Sequence, residues 1–256
     1  MKALGIVLGA CVLTLGAAWA ENHEGGEESD GMQFVPVETY TCNYVDGKGP
    51  EDLDKATAFW NKWADENGMD NYYAITVTPV YHGAETFDVG WLGVWPSGAE
   101  MGKSGDLWMA KGSEAASKFA EVVKCETHSN FATTQMKEPP DTDPDNFLLA
   151  FSDCDVRDAE AWDQVMEGMG QWSAHQAERG YKNGTWMMFA AYGGGDEEFD
   201  FKLVESYDTM TALGEAYDMY GSGGDWAVRG EMLGDSVSCD ASRLYMATVR
   251  RRSAEE

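Results

Sequence analysis

The sequence predicts an α+β fold made of two similar halves, each with the element order strand, helix, strand, strand, helix, strand. The first observation is an internal repeat, because residues 33–138 and 146–252 align along their whole length, with Trp63 opposite Trp172. The second is the spacing of apolar residues, which follows a helical period in two segments of each half and alternates as in strands elsewhere. Landmarks repeated in one order predict two copies of the same structural unit.

The predicted elements divide both halves in the same way. Leu53, Ala56 and Trp60 recur at three- and four-residue steps and give the helix 50–67 one apolar face. The other elements of the first half are strands at 34–45, 72–82, 87–95 and 126–136 and a helical region at 98–123 that is interrupted near Gly112. The second half has predicted strands at 146–154, 185–193, 199–207 and 240–250, and helical regions at 158–179 and 209–234, the latter interrupted at 221–224.

Three segments lie outside the repeats. Residues 1–20 combine a basic start, an apolar run and small residues at the end, which is typical of a cleavable signal peptide and predicts an exported, periplasmic or secreted protein. The stretch ending at Cys11 resembles a lipoprotein processing site, but the apolar run continues beyond it and favours cleavage after Ala20. Residues 21–32 are acidic without an apolar face and predict a disordered tail, and proline with aspartate predicts a linker at 139–145.

The charge of the chain limits its partners. The formal net charge is −27, and a field of that sign repels nucleic acid and anionic lipid alike. We therefore expect no nucleic-acid partner and no anionic membrane. The same charge has two interpretations, a solvated acidic surface or attraction of a cationic ligand.

The order of elements is that of the ferredoxin-like βαββαβ unit. With its repeat and with "LVESYDTMTALGEAY" after the third strand of the second half, the chain resembles the dimeric α/β-barrel superfamily. The resemblance implies two ferredoxin-like units fused in tandem, whose sheets form one pseudo-dimeric α/β barrel with the helices outside. It also implies an apolar cavity between sheet and helices, in which some members oxidise aromatic polyketides without metal or flavin.

The cysteines then form a predicted covalent framework. In a ferredoxin-like sheet the first and fourth strands are antiparallel neighbours, so the end of one lies beside the start of the other. With Cys11 removed, four cysteines remain in an oxidising compartment, and this topology selects Cys42–Cys125 and Cys154–Cys239 among three possible connectivities. We predict two structural disulfides.

No strong catalytic or metal-binding motif occurs in the sequence. "DTDPDN" at 141–146 begins like a calcium loop, but Asn146 and Ser152 stand where the loop requires glycine and glutamate, so no metal is predicted. The resemblance implies one further possibility, because haem-binding relatives use a histidine of the C-terminal half as axial ligand, and His175 lies one turn from Arg179. That histidine lies off the Trp-Val-Met stripe of its helix, so we predict no cofactor.

The candidate site residues are mainly aromatic. Most tryptophans and tyrosines at helical or strand spacing belong to the core, but a cavity between sheet and helices would be lined by some of them. The candidates for ligand binding are Trp60, Trp63, Trp91, Trp95 and Tyr207. The candidates for catalysis are His82, Asn61 and Tyr81; His82 follows the second strand and has no counterpart, because Gly193 stands in its place in the second half. His128, just past Cys125, is a weaker one.

Three functions remain open at this stage. The first is an exported acidic protein that binds a small apolar or aromatic molecule in a cavity between sheet and helices. The second is a cofactor-independent monooxygenase-like enzyme of the same superfamily. The third is a structural or interaction module whose two cores are filled. Whether the protein is an enzyme, and in which oligomeric state it acts, are left open by the sequence.

Overall fold

The computed structural model describes residues 32–84, 87–195 and 197–254. The predicted signal peptide (1–20) and nearly all of the predicted tail (21–32) lie outside the described residues, so they stay predictions. Residues Gln33–Glu256 form one compact unit.

The first half of this unit has four strands and three helices. Its elements are β1 (Val35–Tyr44), α1 (Pro50–Asn67), β2 (Tyr73–Tyr81), β3 (Val89–Val94), α2 (Gly98–Lys111), α3 (Ser113–Ala120) and β4 (Val123–Lys137). The elements of the second half are β5 (Asn146–Val156), α4 (Trp162–Arg179), β6 (Asn183–Tyr192), β7 (Phe201–Tyr207), α5 (Met210–Tyr220), α6 (Asp225–Leu233), β8 (Val237–Cys239) and β9 (Arg243–Arg251). A 3₁₀ turn at Ala159–Ala161 precedes α4.

Eight strands form a closed antiparallel barrel. Their order is β7-β6-β4-β1-β3-β2-β9-β5, and β5 pairs with β7 to complete the circle. Each half contributes four consecutive strands, and the halves meet at β4–β6 and at β2–β9. Closure leaves no long unpaired edge. The predicted α+β class and the barrel are confirmed.

The barrel has an interior core that is separate from the cores beneath the helices. One hydrophobic cluster takes residues from all eight barrel strands and none from a helix, for example Val37, Ile75, Phe131, Leu149 and Tyr245. The remaining clusters combine strand residues with helix residues. Because side chains alternate along a strand, one set fills the barrel and the other set faces the helices outside it.

The two predicted helix interruptions are confirmed, and one predicted strand differs from the observed one. The helical region 98–123 is two helices that meet at Gly112, whose Cα lies against the Trp108 ring so closely that a Cβ would come within 2.5 Å of it. The region 209–234 is likewise two helices. The strand predicted at 240–250 is β9, which begins only at Arg243, and a separate short strand, β8, precedes the predicted range. Between β8 and β9 the Asp240 carboxylate accepts a hydrogen bond from the backbone N–H of Asp153 at 2.8 Å.

The two predicted disulfides are present. Cys42 is bonded to Cys125 and Cys154 to Cys239, with S–S distances of 2.02 and 2.03 Å. Each bond joins residues that are directly opposite in a strand pair, β1–β4 and β5–β8. Such bonds are typical of proteins that work in oxidising, extracytoplasmic compartments. Within the described part of the chain, no helix is both long enough and apolar enough to span a membrane.

The acidic connection between the halves is tied to the end of β9. The carboxylates of Asp143 and Asp145 lie 2.8 and 3.1 Å from the Arg252 guanidinium. The segment between Lys137 and Asn146 contains no helix or strand.

Candidate functional site

A cavity of about 730 Å³ lies in the first half, between the outer face of the sheet and the helices α1–α3. Aromatic side chains dominate its walls: Trp60, Trp91, Trp95, Trp108, Tyr72 and Phe119. Many of these rings meet edge to face, such as Trp60 and Trp91, whose centroids are 5.3 Å apart at 86°. The structural alternative with both cores filled therefore does not fit the first half.

Small side chains on the helices border the cavity. No residue of α2 is buried, and the positions that α2 and α3 present to the cavity include the small residues Ser104, Gly105 and Ala116. In the second half, α5 buries Ala212 and Ala216 in a cluster that also contains Trp172 and Tyr207. Close helix packing therefore fills a space that stays open in the first half.

Another depression, of about 530 Å³, lies in the second half between the 3₁₀ turn, α4 and α6. Its lining is largely charged or amidic, with Arg157, Asp158, Gln164, Glu167 and Glu231 among its members. Small-molecule sites are usually mostly apolar with a few polar groups, so we place the candidate site in the first half.

One carboxylate forms the polar end of the first-half cavity. Glu38 accepts a hydrogen bond from the Tyr72 hydroxyl on Oε1 at 2.5 Å and another from the Tyr40 hydroxyl on Oε2 at 3.2 Å. The Nε2 atom of His128 lies 3.0 Å from the same Oε2, and since a carboxylate only accepts, Nε2 is the donor. The Glu38 side chain is 16% exposed and that of His128 is 56% exposed, so the histidine marks the rim.

The strand register brings these groups together. Glu38 and Tyr40 are two residues apart on β1 and therefore share a face. Tyr40 is directly opposite Trp91 on β3 and His128 on β4. The Tyr40 and His128 rings stack with centroids 3.8 Å apart and planes 11° apart. Cross-strand neighbours on one face thus fix the orientation of the imidazole.

A glycine makes room for the buried tyrosine. Gly93 is directly opposite Glu38 on β3, and a Cβ at this position would lie 1.8 Å from the Tyr72 hydroxyl oxygen. In the second half the corresponding pair is Ala150 and Glu205. The carboxylate of this pair lies on β1 in the first half and on β7 in the second, where the residue opposite it is alanine rather than glycine.

Both tyrosines remain neutral donors. Burial raises the pKa of Tyr72 well above its usual value, and the nearby Glu38 charge raises it further. Burial followed by the charge of Glu38 likewise raises the pKa of Tyr40. The Trp91 indole N–H donates to the Tyr72 oxygen at 2.9 Å, which completes a chain of hydrogen bonds from the cavity wall to the carboxylate.

One donor in the wall is unused. Trp95 is 7% exposed, lines the cavity, and its Nε1 has no hydrogen-bond partner within the described residues. The atom itself has almost no accessible surface, so it is a buried polar group whose missing partner costs free energy of folding.

The second half carries different chemistry at the equivalent positions. Ser152 and Ser242 replace the stacked Tyr40–His128 pair, and their hydroxyls are 2.7 Å apart. Glu205 is enclosed beneath α4, where Asn183 donates to it at 3.2 Å, and burial raises its pKa. The polar groups there bond to one another rather than border an open space.

Three of the five predicted ligand-binding residues line the cavity, namely Trp60, Trp91 and Trp95. Trp63 lies on the same helix as Trp60 but packs edge to face on Trp108 and donates to the Lys111 carbonyl at 3.2 Å. Tyr207 belongs to the filled core of the second half. Helical spacing identified the apolar face of α1, but Trp63 lies at its margin.

The three predicted catalytic candidates lie away from the cavity lining. The Asn61 side-chain amide donates to the Arg250 carbonyl at 2.9 Å and ties α1 to β9. Tyr81 is 64% exposed at the end of β2, and His82 follows it with Nδ1 3.0 Å from the Gly83 carbonyl. Both are beyond the last β2–β3 residue pair, at the end of the barrel.

No pattern in the sequence identified Glu38, Tyr40 or Tyr72 as a site residue, and His128 was only a weaker candidate. A usable signal was present for two of them. If Cys42 is opposite Cys125, the antiparallel register places Tyr40 beside His128, apart from a one-residue bulge. The contact of Glu38 with Tyr72 spans 34 residues and has no such signal.

The geometry around His175 does not fit a haem ligand. Its ring stacks on Trp172 at 5.4 Å, and its Nε2 lies 3.3 Å from the carboxylate of Asp225. Asp225 also accepts hydrogen bonds from Tyr181 at 2.9 Å and Arg179 at 3.2 Å. Burial alone would raise the pKa of Asp225, but these bonds outweigh it and lower the pKa. The cluster fastens α6 to α4.

Comparison with known proteins supports the fold and nothing finer. No protein-family model matches the chain, and no curated protein matches it. A solved anthrone oxidase-like protein is 13% identical, with 86% of this chain and 94% of that chain covered and a TM-score of 0.51. A proposed monooxygenase from Lactobacillus acidophilus is 13% identical, with 85% and 94% covered and a TM-score of 0.52. A dye-decolorizing peroxidase from Bacteroides thetaiotaomicron is 12% identical, with 86% and 94% covered and a TM-score of 0.52.

Proposed function

We propose that this protein, which has the dimeric α/β-barrel fold, binds a small and mostly apolar aromatic molecule in the cavity of its first half. The observation that carries the proposal is the cavity itself, about 730 Å³ with aromatic walls and one polar end. That volume and composition fit a site for a small organic ligand, in which apolar walls supply affinity and a few polar groups supply orientation.

We also propose that the protein arose by duplication of one unit and that it is exported. Two ferredoxin-like units fused in tandem account for the same element order and the same disulfide position in both halves. The first unit kept an open cavity and the second became a filled support. The signal-like sequence 1–20 and the two disulfides favour export to the periplasm or the exterior.

Filling the cavity tests the proposal. Ala116 lies on α3 in the cavity wall, and Ala116→Trp is expected to weaken binding of 2-naphthol or 4-tert-butylphenol by at least about tenfold, because the new indole occupies the ligand's volume. Binding is measured by titration calorimetry and by quenching of the wall tryptophans. Ala110→Trp, at an exposed position of α2 outside the lining, is the matched control and should bind as the wild type does. Equal affinity in all three proteins would refute the site.

A second candidate is a cofactor-independent monooxygenase-like enzyme acting in the same cavity. The observation that favours it is the His128–Glu38 pair, in which the carboxylate accepts a hydrogen bond from one imidazole nitrogen at 3.0 Å and so orients the ring, as the partner of a general base does. The anthrone oxidase-like and monooxygenase relatives in fold are consistent with such a role, as an analogy between folds.

Oxygen consumption distinguishes enzyme from binder. With anthrone and dioxygen, an enzyme would form anthraquinone and water, so that one oxygen atom enters the ring carbon and the other leaves as water. For the enzyme we expect uptake of oxygen that falls by roughly 10²–10⁴-fold in His128→Gln, the usual contribution of a general base. Uptake no faster than that of the buffer, together with saturable binding, would leave the binding function alone.

A further inference from the structure

We infer that the ligand of the first-half cavity is an organic cation, an ammonium compound with an aromatic or branched apolar body. The inference rests on the proposed binding function and specifies the chemical class of the ligand. It follows from the charges that border the cavity, from the way in which Glu38 is paired, and from the aromatic walls.

The charge inventory of the lining is one-sided. Among the described residues that line the cavity there is one carboxylate, Glu38, and no lysine or arginine. Tyr40 and Tyr72 are hydroxyl donors, and His128 adds no charge in its neutral form. The polar end is therefore negative, and a negative ligand would meet repulsion without a compensating cation, whereas a positive ligand would be attracted.

Glu38 differs in its pairing from Asp153 and Asp225, two other carboxylates of low exposure. Asp153, which is 28% exposed, lies 2.5 Å from Lys202 and 3.1 Å from Arg243. Asp225 is paired with Arg179. Glu38 is held by two phenol hydroxyls, which orient the carboxylate without cancelling its charge, and by the rim histidine. A fixed and uncancelled charge in a low-dielectric wall is available to a ligand cation.

The aromatic walls add to this preference. Trp60, Trp91, Trp95 and Trp108 all line the cavity, and indole is the aromatic group that attracts cations best when they lie over its face. Proteins commonly bind quaternary ammonium groups, which carry no hydrogen-bond donor, by enclosing them with aromatic rings. At longer range, the net charge of −27 raises the local concentration of cations around the protein.

A pair of isosteric probes tests the inference on the unmodified protein. 4-tert-Butylphenol and (4-hydroxyphenyl)trimethylammonium have the same shape and differ in charge, and 4-tert-butylbenzoate supplies an anion of similar size. Titration calorimetry at pH 8, where histidine is ordinarily neutral, is expected to give an affinity for the ammonium probe about tenfold or more above that for the phenol, with the benzoate weakest. Added salt should weaken the part of this preference that comes from the distant surface charges of the protein, because salt screens them. The part that comes from the cavity wall should remain.

Glu38→Gln removes the local charge and is expected to reduce the ammonium-to-phenol preference to about threefold or less. Glu205→Gln is the matched control, because it removes one negative charge from a buried glutamate at the corresponding strand pair of the other half. The control should keep the wild-type preference. Thermal melting shows whether either variant is folded, and the comparison of probes on the wild type stands without them.

Three outcomes would contradict the inference in different ways. Equal affinities for the phenol and the ammonium probe in the wild type would overturn the inference and leave the binding function in place. A preference that Glu38→Gln and Glu205→Gln reduce equally would assign it to net charge and overturn the local site. No binding of any of the three probes would overturn the inference together with the proposed function.

Discussion

Replacing Cys42 and Cys125 together by alanine is expected to lower the free energy of unfolding by roughly 4–5 kcal/mol. The bond closes a loop between residues that are 83 apart in sequence, and opening it restores conformational freedom to the unfolded chain. Both cysteines also border the cavity, so the loss of their covalent link at the β1–β4 pair should weaken binding of the ammonium probe. Urea denaturation followed by circular dichroism measures the first effect and calorimetry the second.

The other disulfide provides the comparison. Cys154→Ala with Cys239→Ala opens a loop of 85 residues, so a similar entropic loss of unfolding free energy is expected. The loss should be somewhat larger, because Cys154 is fully buried in an apolar cluster and its packing is lost as well. Neither cysteine borders the cavity, so the folded variant should keep its affinity. If both double variants lost less than about 1 kcal/mol, the bonds would not be the framework that the structure indicates.

The fold could be predicted because the sequence patterns that specify its helices and strands lie within short segments and occur in both halves. The helix at 50–67 was predicted with its observed bounds, since a Pro at its start, an amphipathic period and Gly68 at its end define it within one segment. The disulfides followed from the neighbouring positions of the first and fourth strands. The break between β8 and β9 contains Asp240, whose side chain bonds to the backbone of another strand, and such a contact leaves no periodic signal.

The site was only partly predictable, for a related reason. Trp60, Trp91 and Trp95 carry the pattern of buried aromatics, but that pattern does not distinguish a wall of a cavity from a filled core. The distinction depends on how the side chains of α2 and α3 pack against the sheet, which is a property of packing between elements. Glu38 and Tyr72 become partners only because Gly93 is opposite Glu38, and one sequence does not show which glycine has that role.

The second large effect is therefore expected at Gly93. A Cβ at this position would lie 1.8 Å from the Tyr72 oxygen and 2.3 Å from the ring carbon that bears it, so Gly93→Ala must displace the ring and break its bonds with Glu38 and Trp91. We expect a loss of roughly 2–4 kcal/mol of stability, from overpacking and from broken hydrogen bonds to a charged group. Affinity for the ammonium probe should fall as well, because the displaced ring enters the cavity or releases Glu38.

A double-mutant cycle separates this cause from a general sensitivity to substitution. If the new methyl group clashes with the Tyr72 ring, Gly93→Ala should lower the stability only slightly in a Tyr72→Ala background. The coupling energy between the two positions should then approach roughly 2–4 kcal/mol. Gly102→Ala on α2, where a Cβ would meet nothing within 4 Å, is the control and should stabilise the helix by up to about 1 kcal/mol. Additive losses at Gly93 and Tyr72 would mean that the two residues do not contact each other, and the arrangement of the polar end, with Glu38 held by Tyr72, would have to be abandoned.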